Sequence, residues 1–255
     1  MDELIDEIEN IVKVCAKQII NIKQETIKID NKEGVGNIVT QYDKKIQEEL
    51  KAELLKLLPE ANFIGEENDY GEILETGYTF IVDPIDGTTN FSRNLSLSAI
   101  SVALLKDAEP YIGVCYNPYI DEMFVAQKGK GAYLNGESIN VSNKKLHEGI
   151  VLTGNAPYYA DMREKSLITL KNFAQIASDF RRFGSAVIEL CNIACGRAEV
   201  YFELKLQPWD YAAGMLIVEE AGGKVTQMNG EKMTFDKPTS ILASNNVEDY
   251  FKYLQ

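Results

Sequence analysis

Asp83 and Asp86 stand three residues apart in the stretch Ile81-Val82-Asp83-Pro84-Ile85-Asp86-Gly87-Thr88-Thr89-Asn90. The apolar run Tyr78–Val82 before them reads as a buried strand. The acids and the proline read as the turn that ends it, and a helix can begin at Thr88-Thr89-Asn90. Hard oxygen donors gathered at the end of a buried strand suit a divalent metal. Glu66-Glu67 follow the short apolar run Asn62–Gly65, and Asp210 follows Trp209 at the start of a helical pattern. Carboxylates that converge repel one another and need a cation. Taken one at a time, each acid also has a structural reading. Asp210 could cap its helix, Glu66-Glu67 could be a solvated pair, and Asp83 to Gly87 could be a plain turn. Two acids and a Thr-Thr pair directly behind a core strand weigh against the plain turn.

The donor types narrow the metal. The one histidine, His147, lies in a polar stretch far along the chain, and no Cys–His pattern points to zinc. Carboxylates alone favour Mg²⁺ or Mn²⁺. Such ions, held by few carboxylates and several waters, work on phosphate. Two of them can polarise a phosphoryl oxygen, generate hydroxide and steady the leaving oxygen. Competing motifs read as structure. Cys191 to Arg197 has the Cys-x₅-Arg spacing of cysteine phosphatases, but Ile188, Leu190, Cys191, Ile193, Ala194 and Cys195 mark a buried helix. Asp83-x-x-Asp86 departs from the Asp-x-Asp of aspartyl-phosphate enzymes. Gly129-Lys130-Gly131 lacks the P-loop pattern and reads as a hairpin turn. Trp209 reads as packing that fixes Asp210, and Tyr158-Tyr159 as loop packing, with a sugar pocket as the alternative.

The elements that must position these residues follow from periodicity. Leu4, Ile5, Ile8, Ile11, Val12, Cys15 and Ile19 fall at helical spacing. Lys32 to Asn37, with Gly34 and Gly36, reads as a mobile loop. Thr40 is a helix N-cap with Asp43 in the capping-box position, ahead of a stripe of Ile46, Leu50, Leu54 and Leu57 that Pro59 ends. Ser96–Leu105, Tyr111–Tyr116, Glu122–Gln127 and Gly131–Leu134 read as strands, the last closed by an Asn135-Gly136 hairpin turn. A second half begins at Ile150–Thr153. Helices near Met162–Ala177, Ser185–Cys195 and Trp209–Ala221 alternate there with strands near Phe180–Phe183, Ala198–Phe202, Lys224–Gln227 and Ser240–Ala243. A terminal helix follows. The pattern predicts a layered α+β or α/β architecture, with one domain over residues 1–255 and two lobes meeting near 145–150.

Composition bounds the rest. With 255 residues, 45% hydrophobic and 25% charged, the chain is an ordinary globular protein. Its formal net charge of −13, from 39 acids and 26 bases, argues against nucleic acid or an anionic membrane as partner. Cys15, Cys115, Cys191 and Cys195 sit in apolar contexts without framework spacing, as reduced thiols of a cytoplasmic protein do. The acidic start lacks a signal-peptide pattern, and no apolar run approaches the roughly 20 residues of a membrane span.

Glu66-Glu67, then Asp83 to Asn90, then Trp209-Asp210, together resemble the inositol monophosphatase family. Val39-Thr40-Gln41-Tyr42-Asp43 is similar to its helix-borne acid motif, and Glu219-Glu220-Ala221-Gly222-Gly223 to its C-terminal helix end. The match runs in order over nearly the whole chain. It implies an αβαβα sandwich of the inositol monophosphatase/fructose-bisphosphatase type, often a homodimer, with Mg²⁺-dependent, lithium-sensitive hydrolysis of small phosphomonoesters. Carried over, Glu66, Asp83 and the Ile85 carbonyl would hold one ion, and Asp83, Asp86 and Asp210 a second. Glu66 would face a weaker third. Asp43 and Thr88 would orient the attacking water, and Gly87 and Thr88 would offer N–H groups to the phosphate. Gly184, Ser185, Ala186 and Glu203 would touch the substrate's hydroxyls, with a solvated strand-end acid as the plain alternative for Glu203. Glu67 and Lys32 would stand behind the ligands. Arg181-Arg182 would pair with acids across a dimer or near the site, or simply lie on the surface. Asn37 replaces the Asp of many members, which bears on the weakest ion.

The expected function is therefore a Mg²⁺-dependent phosphomonoester hydrolase acting on inositol 1-phosphate without a phosphoenzyme. NADP(H), fructose 1,6-bisphosphate or 3′-phosphoadenosine nucleotides are alternatives on the same metal core. A non-catalytic phospho-ligand binder is the third reading, and an intact Asp43–Thr88 pair speaks against it.

Overall fold

The computed structural model describes residues 3–254 apart from 21, 23, 33–36, 68–71, 74, 157 and 158. Gly34, Gly36 and Tyr158 therefore lie outside the described residues. In chain order the helices are α1 (Glu3–Ile20), α2 (Gln41–Leu57), α3 (Thr88–Ser92), α4 (Ala160–Ala174), α5 (Ala186–Ala194) and α6 (Pro208–Glu220). One mixed sheet holds β3 (Asn62–Gly65), β4 (Tyr78–Asp86), β5 (Ala99–Lys106), β6 (Glu109–Asn117), β7 (Glu122–Gln127), β8 (Gly131–Leu134) and β9 (Glu137–Ile139), in that order. A second holds β10 (Ile150–Thr153), β11 (Asp179–Arg181), β12 (Val200–Leu206), β13 (Lys224–Thr226) and β14 (Thr239–Ser244), in the order β11-β10-β12-β14-β13. The short strands β1 (Ile29–Asn31) and β2 (Ile38–Thr40) pair with each other.

Alternation along the strands builds the layers. Phe80 and Val82 point to one face of β4, into a core shared with Ile5, Ile8 and Val12 of α1 and Ile46, Leu50 and Leu54 of α2. Ile81 points to the other face, against α5 and α6. Those two helices also pack on Leu152, Tyr201, Ile241 and Ala243 of the second sheet. The far face of that sheet, with Val151, Val200 and Phe202, packs on Phe173 of α4. The layers are thus α1/α2, sheet, α5/α6, sheet, α4, the expected αβαβα sandwich. No helix among the described residues is long and apolar enough to cross a membrane.

Most predicted elements are present, with three corrections. The stretch after Val82 is not a turn: β4 continues to Asp86 through a bulge. Glu203 is not a strand-end acid, because β12 runs on to Leu206. The terminal helix is only a 3-10 turn at Phe251–Tyr253. The polar, exposed strands β1 and β9 lacked an apolar signal. The Asn135-Gly136 turn is as expected, with φ of 50° and 83°, both in the left-handed region that a two-residue hairpin uses.

Helix α6 lies against β6 so closely that a Cβ on Gly113 would come within 2.7 Å of the Ala213 carbonyl oxygen. Gly113→Ala is therefore expected to lower the unfolding free energy by about 1–3 kcal/mol through overpacking. Urea unfolding of the metal-free protein measures this. An unchanged midpoint would mean that helix and sheet can separate freely.

Candidate active site

Parallel pairing sets Gly65 of β3 beside Val82 of β4, so Glu66 and Asp83 follow side by side. The Glu66 N–H donates to the Val82 carbonyl at 3.2 Å. Residues three apart on a regular strand face opposite sides. Here Asp83 pairs with Ser101 and Asp86 with Ala99, so β4 carries one residue more than β5 between these pairs. That bulge brings Asp83 and Asp86 to the same side. Pro84, which has no N–H to lose, sits within it, and the Ile85 N–H donates to Asp83 Oδ1 at 3.0 Å.

Asp210 arrives from the first turn of α6. Its Oδ2 accepts the Gln207 N–H at 2.7 Å, so Gln207 is the N-cap of α6 and Asp210 the acid of a capping box, not the N-cap itself. It is also a member of the acid cluster, because one carboxylate oxygen from each of Asp83, Asp86 and Asp210 lies within 4.8 Å of the others. Asp86 Oδ2 accepts the Val187 N–H at 2.8 Å and the Ser185 hydroxyl, and so sits at the N-terminus of α5. Asp43, at the N-terminus of α2, accepts from the Thr40 N–H at 2.8 Å and the Thr40 hydroxyl through Oδ2. Its Oδ1 accepts the Thr88 hydroxyl at 3.1 Å. The Ile85 carbonyl is a second acceptor for that hydroxyl at 3.2 Å. Gly87, with φ of +85°, turns the chain between Asp86 and Thr88. A Cβ there would stand 2.9 Å from the Leu97 carbonyl oxygen, so glycine is required.

The electrostatics follow from burial. Desolvation, with Glu66, Asp86 and Asp210 nearby, holds the Asp83 carboxyl well above its ordinary range. Asp210 is raised in the same way by burial and by Asp86 and Glu66. Burial lifts Asp43 and Asp86 each to about 7, against hydrogen bonds that oppose the rise. Lys32 reaches Glu66 at 2.9 Å and also pairs with Glu67. Burial disfavours its ammonium, but the two carboxylates outweigh that and raise its pKa. Glu67 stands back from the cluster: its backbone N–H and carbonyl are both held by the Gln47 side chain, at 2.7 and 2.9 Å. An all-oxygen set of buried, mutually repelling acids fits Mg²⁺ by its donor chemistry.

A cavity of about 1300 Å³ opens over the acids, with Gly184, Ser185, Ala186 and Glu203 also in its lining. The structure thus brings the sequence-chosen residues to one place, with refinements. The Ser185 hydroxyl is engaged by Asp86 and by the Ile188 N–H at 3.2 Å, so it holds a carboxylate in position. Glu203 is buried, and its oxygens accept the Ala156 N–H at 3.0 Å and the Tyr201 hydroxyl at 2.7 Å. These two donors leave only its remaining lone pairs for any further donor. Arg181 pairs with Asp179 at the surface, while Arg182 lines the cavity.

Three supporting residues escaped the sequence reading. Glu189 accepts the Phe183 N–H at 2.6 Å, and Asn90 donates to the Phe183 carbonyl at 2.7 Å, so the strand-to-helix connection before Ser185 is gripped on both sides. Gln47 is the third. An acid between Ile188 and Leu190 in an apolar helix was the available signal for Glu189. The cysteine alternative fails: Cys191 is buried beside Cys115, burial raises its thiol pKa well above the ordinary value, and Arg197 is bound to Glu122 at 2.8 and 2.5 Å.

Residues 1–254 match the family model described as the inositol monophosphatase family. An inositol-1-monophosphatase of Mesorhizobium japonicum is 36% identical over 215 residues, covering 84% of this chain and 80% of that protein. The extragenic suppressor protein suhB from Bartonella henselae superposes with a TM-score of 0.92 at 33% identity, over 100% of this chain and 99% of that one. The Thermotoga maritima IMPase gives 0.89 at 30%, over 100% and 97%. The chain belongs to the inositol monophosphatase family, whose members are phosphoric monoester hydrolases generally dependent on Mg²⁺, and it is an enzyme of that class.

The raised acids give the metal-free protein a defined pH response. Asp43 and Asp86 titrate near 7 when folded, against an ordinary 3.8. Their contribution to stability is complete below the ordinary pKa and is lost as pH rises through about 7. Metal-free protein is therefore expected to melt at lower temperature at about pH 8 than at about pH 5.5, and Mg²⁺ should raise Tm more at the higher pH. Differential scanning calorimetry with and without chelator reads this. A Mg²⁺ shift that is absent, or equal at both pH values, would contradict the acid-cluster assignment.

Proposed function

We propose that this chain hydrolyses inositol monophosphates, inositol 1-phosphate first, with Mg²⁺ held by its acid cluster. The observation that supports this most is the convergence of Asp83, Asp86 and Asp210 beside a hydrogen-bonded Asp43–Thr88 pair. Relatives named inositol-1-monophosphatase support the polyol substrate. Glu66, Asp83 and the Ile85 carbonyl would hold one ion, Asp83, Asp86 and Asp210 a second, and Glu66 would face a weaker third. Mn²⁺ suits the same oxygens. When bound, the ions neutralise phosphoryl oxygens and make water more acidic.

The chain's own groups do the rest. Thr88 spends its proton on Asp43 and keeps its lone pairs for a water O–H, which fixes the water's direction. Asp43 is raised by burial and by Glu66 in the metal-free protein; bound cations would oppose that rise and leave its carboxylate charged to accept a proton. The water oxygen bonds to phosphorus as the ester P–O bond breaks on the opposite side. Asp43 takes the water's proton through Thr88, and the departing alkoxide takes a proton from solvent. The N–H groups of Gly87 and Thr88 donate to phosphate oxygens. Gly184 and Ala186 form the wall against the substrate, Ser185 steadies Asp86, and Glu203 accepts a substrate hydroxyl. We assign the chemistry to one catalytic domain over residues 1–255. Its lobes meet near 145–150, where the first large sheet has ended at Ile139 and the second begins at Ile150. We place the enzyme in the cytoplasm as a homodimer, with neither nucleic acid nor membrane as partner.

Phosphate release from inositol 1-phosphate with Mg²⁺ tests the proposal. Thr88→Ala and Asp43→Asn should each lower kcat by about 10²–10⁴-fold with little change in KM, the usual weight of acid–base assistance. Activity that survives Asp86→Asn together with chelator would sink the mechanism. Li⁺ is expected to inhibit by occupying the Asp83–Asp86–Asp210 position. Steady-state rates unaffected by Li⁺ would remove that assignment. A strong preference for NADP(H) or another nucleotide in a substrate panel would replace inositol phosphate as the substrate.

A further inference from the structure

Three features of the fold converge on the Glu203 carboxylate, and the chemistry above uses none of them. Tyr201 and Glu203 stand two apart on β12 and share a face. The Tyr201 ring is fully buried, and its hydroxyl donates to Glu203 Oε2 at 2.7 Å. Thr153, the last residue of β10, pairs with Phe202, and the Gly154 N–H donates to the Phe202 carbonyl at 3.1 Å. Gly154 therefore lies beside Glu203, and a Cβ there would overlap the carboxylate. Two residues on, Ala156 is buried with φ of +43°, in the left-handed region that favours glycine. Its N–H donates to Glu203 Oε1 at 3.0 Å.

A buried tyrosine needs an acceptor for its hydroxyl, and an acid two residues away would satisfy it without further meaning. That reading leaves Gly154 and Ala156 unexplained. A non-glycine residue keeps a left-handed backbone only where its surroundings enforce it, and such residues cluster at ligand sites. Here the conformation aims an N–H at the oxygen that Tyr201 leaves open. The missing Cβ at position 154 makes room for the carboxylate between its two donors. With one donor on each oxygen, the carboxylate can neither spin nor swing away. Each oxygen keeps a lone pair, and Glu203, Tyr201, Gly154 and Ala156 all line the cavity. An acceptor fixed in this way is in place before the ligand arrives, so binding loses no rotamer freedom there.

We propose that Tyr201 is a positioning residue which, together with Gly154 and Ala156, fixes Glu203 as the acceptor for a hydroxyl of a polyol phosphate. Selectivity for polyol esters over esters without hydroxyls then depends on a phenol that acts only through Glu203. The proposal rests on the polyol-phosphate reading of the site and adds the residue that sets its selectivity.

Inositol 1-phosphate and phenyl phosphate, which has the ester and no hydroxyl, are compared in one Mg²⁺ assay. Tyr201→Phe keeps the buried ring and removes the donor. It should lower kcat/KM for inositol 1-phosphate about tenfold, mainly through KM, the equivalent of one hydrogen bond to a charged group. The loss for phenyl phosphate should be several times smaller. Gly154→Ala, which keeps the Tyr201 hydroxyl and crowds the carboxylate instead, should give the same selective loss. In a Glu203→Ala background the effect of Tyr201→Phe should vanish, because the two residues act as a unit. Matched unfolding midpoints show that the variants fold. Should Tyr201→Phe fail to fold, the split between the two esters in Gly154→Ala decides, and equal losses overturn the proposal. If the unmutated enzyme hydrolyses neither compound, the phosphatase reading falls and the role of Tyr201 with it. If it hydrolyses phenyl phosphate alone, the phosphatase stands and the polyol acceptor is overturned. If both are hydrolysed but Tyr201→Phe lowers them alike, lowers neither, or keeps its effect without Glu203, the positioning role alone is overturned.

Discussion

Repulsion among buried carboxylates is the constraint on which the rest of the molecule depends. Two unit charges about 4 Å apart interact by about 4 kcal/mol at the effective dielectric of a protein site. Asp83, Asp86 and Asp210 present oxygens within 4.8 Å of one another, with Glu66 and Asp43 close by. The fold answers partly with its own dipoles. Asp43, Asp86 and Asp210 lie at the N-termini of α2, α5 and α6, and each accepts a backbone N–H there. Such placement is worth about 0.3–1 kcal/mol per group, and up to about 2 when partly buried. That is less than the repulsion, so the balance must come from protons or from a cation. The raised acids are the proton solution, and a divalent ion is the one that leaves the carboxylates charged.

The same constraint explains which parts of the fold were legible. Long amphipathic stripes, such as Ile5–Ile8–Val12 in α1 and Ile46–Leu50–Leu54 in α2, announced their helices because one face of each must enter the core. The acid cluster was legible because its residue types make little sense as solvated surface behind apolar runs. Its backbone was not. Asp-x-x-Asp cannot put both side chains on one face of a regular strand, and a turn looked like the only escape. A bulge resolves the parity while keeping the strand, and its one local sign is Pro84, a residue without a ladder donor. A second bulge, between Glu203 and Leu206, misled in the same way by making β12 seem to end early. A single-residue register shift leaves almost no compositional trace, because the ladder partners that define it lie on another strand.

Residues that act through other residues were the hardest to find. Gln47 sits one position beyond the Ile46 of an amphipathic helix and looks solvated, yet its amide holds both backbone groups of Glu67. A Cβ on Gly65 would come within 2.4 Å of the Gln47 side chain, so the glycine that ends β3 is there to admit that amide. Neither residue has a meaning until β3 and α2 are packed together. Functional side chains declare their chemistry by type, whereas their supports declare it only by contact.

Those supports also join the halves of the molecule. Asp86 and Asn90 belong to the first large sheet and the helix after it. Phe183 and Ser185 belong to the connection that leaves the second sheet. Asn90 donates to the carbonyls of both Leu97 and Phe183, at 2.8 and 2.7 Å, while Ser185 and Val187 donate to Asp86. Glu189 closes the grip from the other side of Phe183. A movement that separated the sheets would strip donors from Asp86, a buried carboxylate whose loss of partners costs more than an ordinary hydrogen bond. The cavity wall at Gly184 to Ala186 and the acid cluster are therefore one mechanical unit. Any change in that wall at Gly184 or Ala186 acts on the same short connection that positions Asp86.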